Sequence, residues 1–261
     1  MCNNTSSGRI VVMISSSFLL AKFTPTGAEI LEGKDFRKAK EAASVAKVFL
    51  AAEIIRLMEE GKVKNSQILI KRSDIEAYGT DVLADIVKNN NVVNLDVLTL
   101  IGLMIKYSCN SSASILSKRI LPKRRDLDRV AKDIWELKDS KLAAKDGRRL
   151  NKFSLGDLLL IFRKIYGKEG KLWNFLKEKL RTSRNIYYLF DQKEIEILGC
   201  KSGTKKVGSK YFINDCGVFR YNGEVYFMGA MVSDRSISRA VLGIRKIGED
   251  LLLKLDSGRR L

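Results

Sequence analysis

Three short motifs lie in order along the chain of 261 residues: Ser44-Val45-Ala46-Lys47, Ser108-Cys109-Asn110 and Lys201-Ser202-Gly203. Each is common by itself. S-x-x-K returns at Ser202-Gly203-Thr204-Lys205, and S-x-N returns at Ser183-Arg184-Asn185. Order and setting carry the information. Ser44 and Lys47 stand three residues apart where a helical pattern begins, so their side chains share one face. A buried lysine loses hydration, its pKa falls, and the neutral amine can take a serine proton. A helix start also favours negative charge on the attacking oxygen. Ser108 and Asn110 follow an apolar helix, Leu100 to Tyr107, that must end inside the protein. There a hydroxyl can relay a proton to a leaving nitrogen, and an amide can bind both the lysine and a substrate carbonyl. Lys201-Ser202-Gly203-Thr204 reads as the close of a strand. Gly203 would let a substrate backbone lie against the strand edge. Lys201 would set positive charge beside a substrate carboxylate. The N–H groups of Thr204 and Ser44 can form an oxyanion hole, worth about 3 kcal/mol per donor lost.

Each motif also has a plain reading: a helix start, a helix cap and a strand-terminal turn. Taken jointly they assemble a serine nucleophile, a lysine base, a hydroxyl relay and a cationic strand edge. That is a serine acyl-transfer centre.

Composition narrows the chemistry. The chain has no His, which removes the Ser-His-Asp triad and imidazole acid–base catalysis. A catalytic serine must then use another base. Four cysteines (Cys2, Cys109, Cys200 and Cys216) show no C-x-x-C spacing. They indicate neither a metal nor a redox motif, and they read as small buried residues. No metal or organic cofactor is expected. Net charge is +18, from 48 Lys+Arg against 30 Asp+Glu. The basic residues are dispersed and no nucleic-acid motif accompanies them, so the charge reads first as solubility or a lysine-rich coding bias and second as affinity for an anionic cell-wall polymer. Nucleic acid is not expected as a partner, and a monomer is. The apolar run from Ile10, broken by Ser15, Ser16 and Ser17, is too short to span a membrane. Cys2 before Asn3-Asn4-Thr5 reads either as an ordinary polar chain start or as a lipoprotein start with a lipid anchor at Cys2, and export to the periplasm or cell envelope is the expected location.

Elements to hold the motifs follow from periodicity. Arg9 to Ser16 and Phe18 to Phe23 read as paired strands with a turn near Ser15 to Ser17. Val45, Val48, Phe49, Ala52, Ile55 and Met58 recur at helical spacing up to Gly61. The stretch from Asn65 to Tyr188 reads as helical, with starts at Asn94-Leu95-Asp96, Ser111 and Ser154. Strands return at Glu194 to Lys201, Tyr211 to Tyr221 and Glu224 to Val232, and Asn222-Gly223 is a hairpin turn. Asp234 to Leu255 closes as a helix. The expected class is α+β: an antiparallel sheet built from both chain ends, covered by helices, with an inserted all-helical subdomain. Residues 1–60 and 190–261 would form the sheet subdomain and residues 61–189 the insertion.

With these residues in place, the chain resembles the penicillin-recognising serine hydrolases, above all class A β-lactamases. Gly79-Thr80-Asp81-Val82-Leu83 resembles a G-[ST]-G-V-L segment of that family. Asn214-Asp215-Cys216-Gly217-Val218 resembles its N-D-x-G-V strand. The resemblance implies a β-lactamase/transpeptidase-like fold. It also implies that Ser44 is acylated, Lys47 is base and Ser108 is relay. Lys201 with Ser202, Thr204 and Lys210 would bind a carboxylate. Two departures stand out. Cys109 replaces an Asp that supports the loop. The E-x-x-L-N segment, whose Glu activates the deacylating water, survives only as Leu150-Asn151. Gly147 then falls at the Glu position, with Asp146 one residue early and Glu136 farther off. The expected activity is hydrolysis of the β-lactam amide, hence antibiotic resistance. The alternatives are a D-alanyl-D-alanine peptidase or penicillin-binding protein, a non-hydrolytic β-lactam sensor, and a polyanion-binding protein with vestigial motifs.

Overall fold

The computed structural model describes residues 15–77, 81–143, 149–183, 188–190 and 195–257. Expectations that fall on Cys2, Gly79, Thr80, Asp146 and Gly147 lie outside those residues, as does most of the strand read from Arg9. The elements run β1 (Ser15–Phe23), β2 (Ala28–Lys34), β3 (Lys40–Glu41), a 3-10 turn (Ala43–Ala46), α1 (Lys47–Glu59) and β4 (Gln67–Lys71). After a second 3-10 turn (Arg72–Asp74) come α2 (Val82–Asn90), β5 (Val92–Asp96), α3 (Val97–Lys106), α4 (Asn110–Arg119) and α5 (Arg124–Asp133). Then follow β6 (Lys141–Ala143), β7 (Arg149–Phe153), α6 (Leu155–Tyr166) and α7 (Lys171–Arg181). The chain closes with β8 (Glu196–Val207), β9 (Lys210–Tyr221), β10 (Glu224–Asp234) and α8 (Ile237–Ser257). No helix among the described residues is long and apolar enough to cross a membrane.

Both chain ends build one antiparallel sheet in the order β2-β1-β10-β9-β8. Asn222 and Gly223 both have positive φ (50° and 84°), the requirement of a tight hairpin turn between β9 and β10. The turn expected at Ser15 to Ser17 does not exist. Those serines lie inside β1, paired with Ser233, Val232 and Met231 of β10. A ladder against a central strand outweighs the weak turn preference of serine. The hairpin partner of β1 is β2, through a turn from Thr24 to Gly27 closed by mutual backbone bonds. The middle of the chain is not wholly helical either. Ile68 and Ile70 alternate with exposed residues in β4, a period of two, and β4 pairs with β5.

Helices cover both sheet faces. Ala240, Ile244 and Leu251 of α8 pack on Leu20, Phe219 and Met228. On the other face α1 is buried all round: Val48, Phe49, Ala51, Ala52, Ile54 and Ile55 have no exposed surface. Its one buried acid, Glu53, accepts two bonds from Arg56 and one from the Trp135 indole N–H (2.7 Å), so the charge is fully partnered. Ser154 caps α6 by accepting from the Asp157 N–H, as its sequence position predicts.

Residues 201–204 do not close β8, which runs on to Val207 as an edge strand of the sheet. The 3-10 turn that opens α1 packs against the middle of this strand. A Cβ built on Gly203 would stand 2.6 Å from the Ser44 nitrogen and 3.0 Å from the Val45 nitrogen. The room that Gly203 provides is therefore taken by the protein's own turn, not kept for a substrate. Gly203→Ala is expected to lower stability by about 1–3 kcal/mol, because backbone must move on one side or the other. Chemical denaturation checks this; an unchanged midpoint would mean that the turn gives way freely.

Candidate active site

Ser44 sits in a turn strapped from several sides. Ala43 takes a left-handed conformation (φ 49°), which lets the chain leave β3 and wind at once. For a residue with a Cβ this costs roughly 1–2 kcal/mol, and nearby bonds hold it. The Ala42 N–H donates to Asn151 O (2.8 Å), and Asn151 Nδ2 donates to Ala43 O (3.0 Å). Asn214 Nδ2 of β9 donates to Glu41 O (2.7 Å). The Glu41 carboxylate pairs with Lys205 of β8 at 2.9 Å. The turn is thus fixed to β7, β8 and β9 before α1 begins.

Lys47 is the first residue of α1, and its side chain is buried. Three acceptors converge on its Nζ: Ser108 O (2.6 Å), Asn110 Oδ1 (2.7 Å) and Ser108 Oγ (3.3 Å). Ser108 follows the end of α3 with φ 57°, again left-handed and again not glycine. That conformation presents both its carbonyl and its hydroxyl to Lys47. Asn110 opens α4, so its amide projects from a helix start.

Lys201 reaches the same hydroxyl from β8. Its Nζ donates to Ser108 Oγ (3.1 Å) and to Ser202 O (2.8 Å), and the residue has no exposed surface. Burial lowers its pKa to about 7, with the Lys47 charge as the next cause. Asp215, on the opposite sheet face, accepts from the N–H groups of Tyr188 (2.9 Å) and Leu189 (3.1 Å). Its burial raises its pKa to about 7, and its field partly offsets the loss of charge on Lys201.

A cleft of about 790 Å³ opens over this cluster, lined among others by Ser44, Lys47, Asn110, Asn151 and Thr204. Ser108 and Lys201 stand behind its wall, joined to it through Lys47. Ser202 is buried and alternates with Lys201 along β8, so it points to the other strand face. Lys210 is not brought to the site. It is exposed at the start of β9, beside the hairpin turn and paired with Val207. Three β8 positions separate Val207 from Thr204, which reaches the cleft. Glu136 is turned away as well, exposed and paired with Lys164 at 3.2 Å. Residues that the motifs do not reveal also matter here. Lys152, Lys205 and Lys206 add positive charge to the rim, and Glu41 and Glu76 are carboxylates on its walls. Asn214 and Asn151 act as straps; in the sequence they stand only in flanking segments, Asn214 to Val218 and Leu150-Asn151. Among the described residues no three potential metal ligands lie together.

The sequence profile of the Beta-lactamase enzyme family matches residues 25–255. No curated protein sequence matches the chain. Among solved structures it is similar to a class A beta-lactamase from Bacteroides cellulosilyticus, with TM-score 0.76, 16% identity and 92% of each chain covered. It is similar to the TLA-3 extended-spectrum beta-lactamase, with TM-score 0.78, 15% identity and 93% of each chain covered. It is likewise similar to PBP-A, with TM-score 0.75, 17% identity, and 94% of this chain and 91% of that one covered. At such identities these likenesses concern the fold. The profile spans most of the sequence, and the chain belongs to the Beta-lactamase enzyme family.

Proposed function

We propose that this protein is a serine hydrolase that takes the acyl group of a β-lactam amide onto Ser44 and then releases it to water. The observation that carries the reading is the meeting of two buried lysine amines at Ser108 Oγ, beside the strapped turn of Ser44. In its neutral form Lys47 takes the Ser44 proton as Oγ bonds to the lactam carbonyl carbon. The N–H groups of Ser44 and Thr204 receive the oxyanion. As the C–N bond breaks, the proton held by Lys47 passes through Ser108 Oγ to the leaving nitrogen. Lys201 draws the substrate carboxylate by its charge, and Thr204 adds a hydroxyl at the cleft. Lys210 has no part in this. As an exported enzyme it would meet its substrate outside the cytoplasm.

A second reading has its own support. The two carboxylates that line the cleft among the described residues are both ion-paired: Glu41 with Lys205 (2.9 Å) and Glu76 with Lys118 (3.7 Å). A base for the deacylating water would have to leave its partner, or be Asp146. Slow deacylation would make the protein a penicillin-binding peptidase or a sensor. A mutant of PBP-A, one of the structural neighbours, is an acyl-enzyme complex with penicillin G. Intact-protein mass followed over time with benzylpenicillin separates the readings. A transient adduct with turnover supports the hydrolase, a lasting adduct supports the second reading, and no adduct sinks both.

Two further outcomes follow. Lys47→Ala should slow acylation by about 10²–10⁴-fold, the usual weight of a positioned base; a rate within twofold of the parent would remove Lys47 from that role. Lys201 loses its proton as pH rises through about 7, so the attraction for an anionic substrate falls on the alkaline side. The second-order acylation rate should decline above pH 7. Lys201→Arg keeps the charge and should flatten that limb. A decline of the same midpoint in Lys201→Arg would assign it to another group.

A further inference from the structure

The start of α4 is held by a side chain that belongs to none of the three motifs. Asp81 precedes α2 and caps it, with Oδ1 accepting from the Leu83 N–H (3.1 Å). The same Oδ1 lies 3.2 Å from Cys109 Sγ. Oδ2 accepts from the Ser111 N–H (3.0 Å) and, through a short bond, from the Ser111 hydroxyl. All four partners are donors, which suits an acceptor-only side chain. Ser111 Oγ in turn accepts from the Glu76 N–H (2.7 Å), so the bonds continue to the cleft wall where Glu76 stands. Cys109 and Ser111 are both without exposed surface. Burial pushes the Cys109 thiol pKa up, so it keeps the proton that it donates.

Asn110 lies between these two anchored residues, and Ser108 lies just before them. Those two supply all three of the acceptors described above on Lys47. We propose that Asp81 is a positioning residue for catalysis: by gripping Cys109 and Ser111 it fixes Ser108 and Asn110 around the Lys47 amine. This rests on the reading of Ser44 as the acylated residue. The grip needs one carboxylate and one neutral donor at this spot. A carboxylate at position 109 would meet that of Asp81, whereas exchanging the two groups would preserve the pairing.

The test uses Asp81→Ala, Ser111→Ala, Cys109→Asp and the double variant Cys109→Asp with Asp81→Ser. One readout is the first-order acylation rate at saturating benzylpenicillin, counted on the fraction that labels. The other is alkylation of Cys109 by iodoacetamide in native protein without penicillin, located by peptide mapping. Asp81→Ala should acylate about tenfold to a hundredfold more slowly, the scale of a small misplacement of reacting groups. Its half-saturating penicillin concentration should barely change, and its Cys109 should become reactive. Cys109→Asp alone should be slow, and the double variant should recover most of the rate. A merely structural role would reduce the labelling fraction but leave its rate as in the parent, and that result overturns the proposal. So does a Cys109 as protected in Asp81→Ala as in the parent. If Asp81→Ala does not fold, Ser111→Ala must show slower acylation and a more reactive Cys109, and parental values overturn the proposal. If the parent itself takes no penicillin, the acylation reading fails, while the protection of Cys109 still decides whether Asp81 holds the helix start.

Discussion

Two buried lysine amines meet at one hydroxyl, and each makes the other's charge harder to hold. Lys47 and Lys201 both donate to Ser108 Oγ, at 3.3 and 3.1 Å. Burial of each disfavours charge, and proximity of the pair disfavours it further. The surroundings answer with acceptors: the Ser108 carbonyl, the Asn110 amide and the Ser202 carbonyl. The residual imbalance lowers the pKa of Lys201 to about 7. Much of the architecture near the cleft can be understood as the means of holding this arrangement.

Three unrelated parts of the chain supply it. Lys47 comes from the first turn of a helix that is buried from Lys47 to Ile55, so its stem lies in the interior while its side chain borders the cleft. Ser108 comes from a helix end with a left-handed residue, where carbonyl and hydroxyl can serve one amine. Lys201 comes from an edge strand of a sheet whose other members are set by long antiparallel ladders. Of the six non-glycine residues in left-handed backbone among the described residues, two, Ala43 and Ser108, stand at this cluster. The bonds from Asn151, Asn214, Lys205 and Asp81 are what over-determine those positions.

The strongest sequence signals were those with a local cause. The apolar helix after Ser44, the Ser154 cap and the Asn222-Gly223 turn each rest on residues a few positions apart, and each appears where the sequence points. The order of strands and helices also reveals that both chain ends build one sheet. What failed depended on distant partners. Ser15 to Ser17 look like a turn until β10 lies beside them. Ile68 and Ile70 alternate over too few residues to be told from a helix without β5. Gly203 reads as room for a ligand, and only the folded chain shows Ser44 filling that room. Lys210 is close to the third motif along the chain, yet β8 carries it past the cleft to the hairpin tip. Asp81 shows in the sequence only as part of the Gly79 to Leu83 segment; its bonds to Cys109 and Ser111 do not, because they join segments that the sequence does not relate.

The central claim is that this cluster activates Ser44, and the site of attachment tests it most directly. Wild-type protein would be mixed with benzylpenicillin, quenched in acid and digested, and the modified peptide sequenced by mass spectrometry. The account predicts a penicilloyl group on Ser44 and nowhere else. An adduct on another residue, or none at all under native conditions, would contradict it.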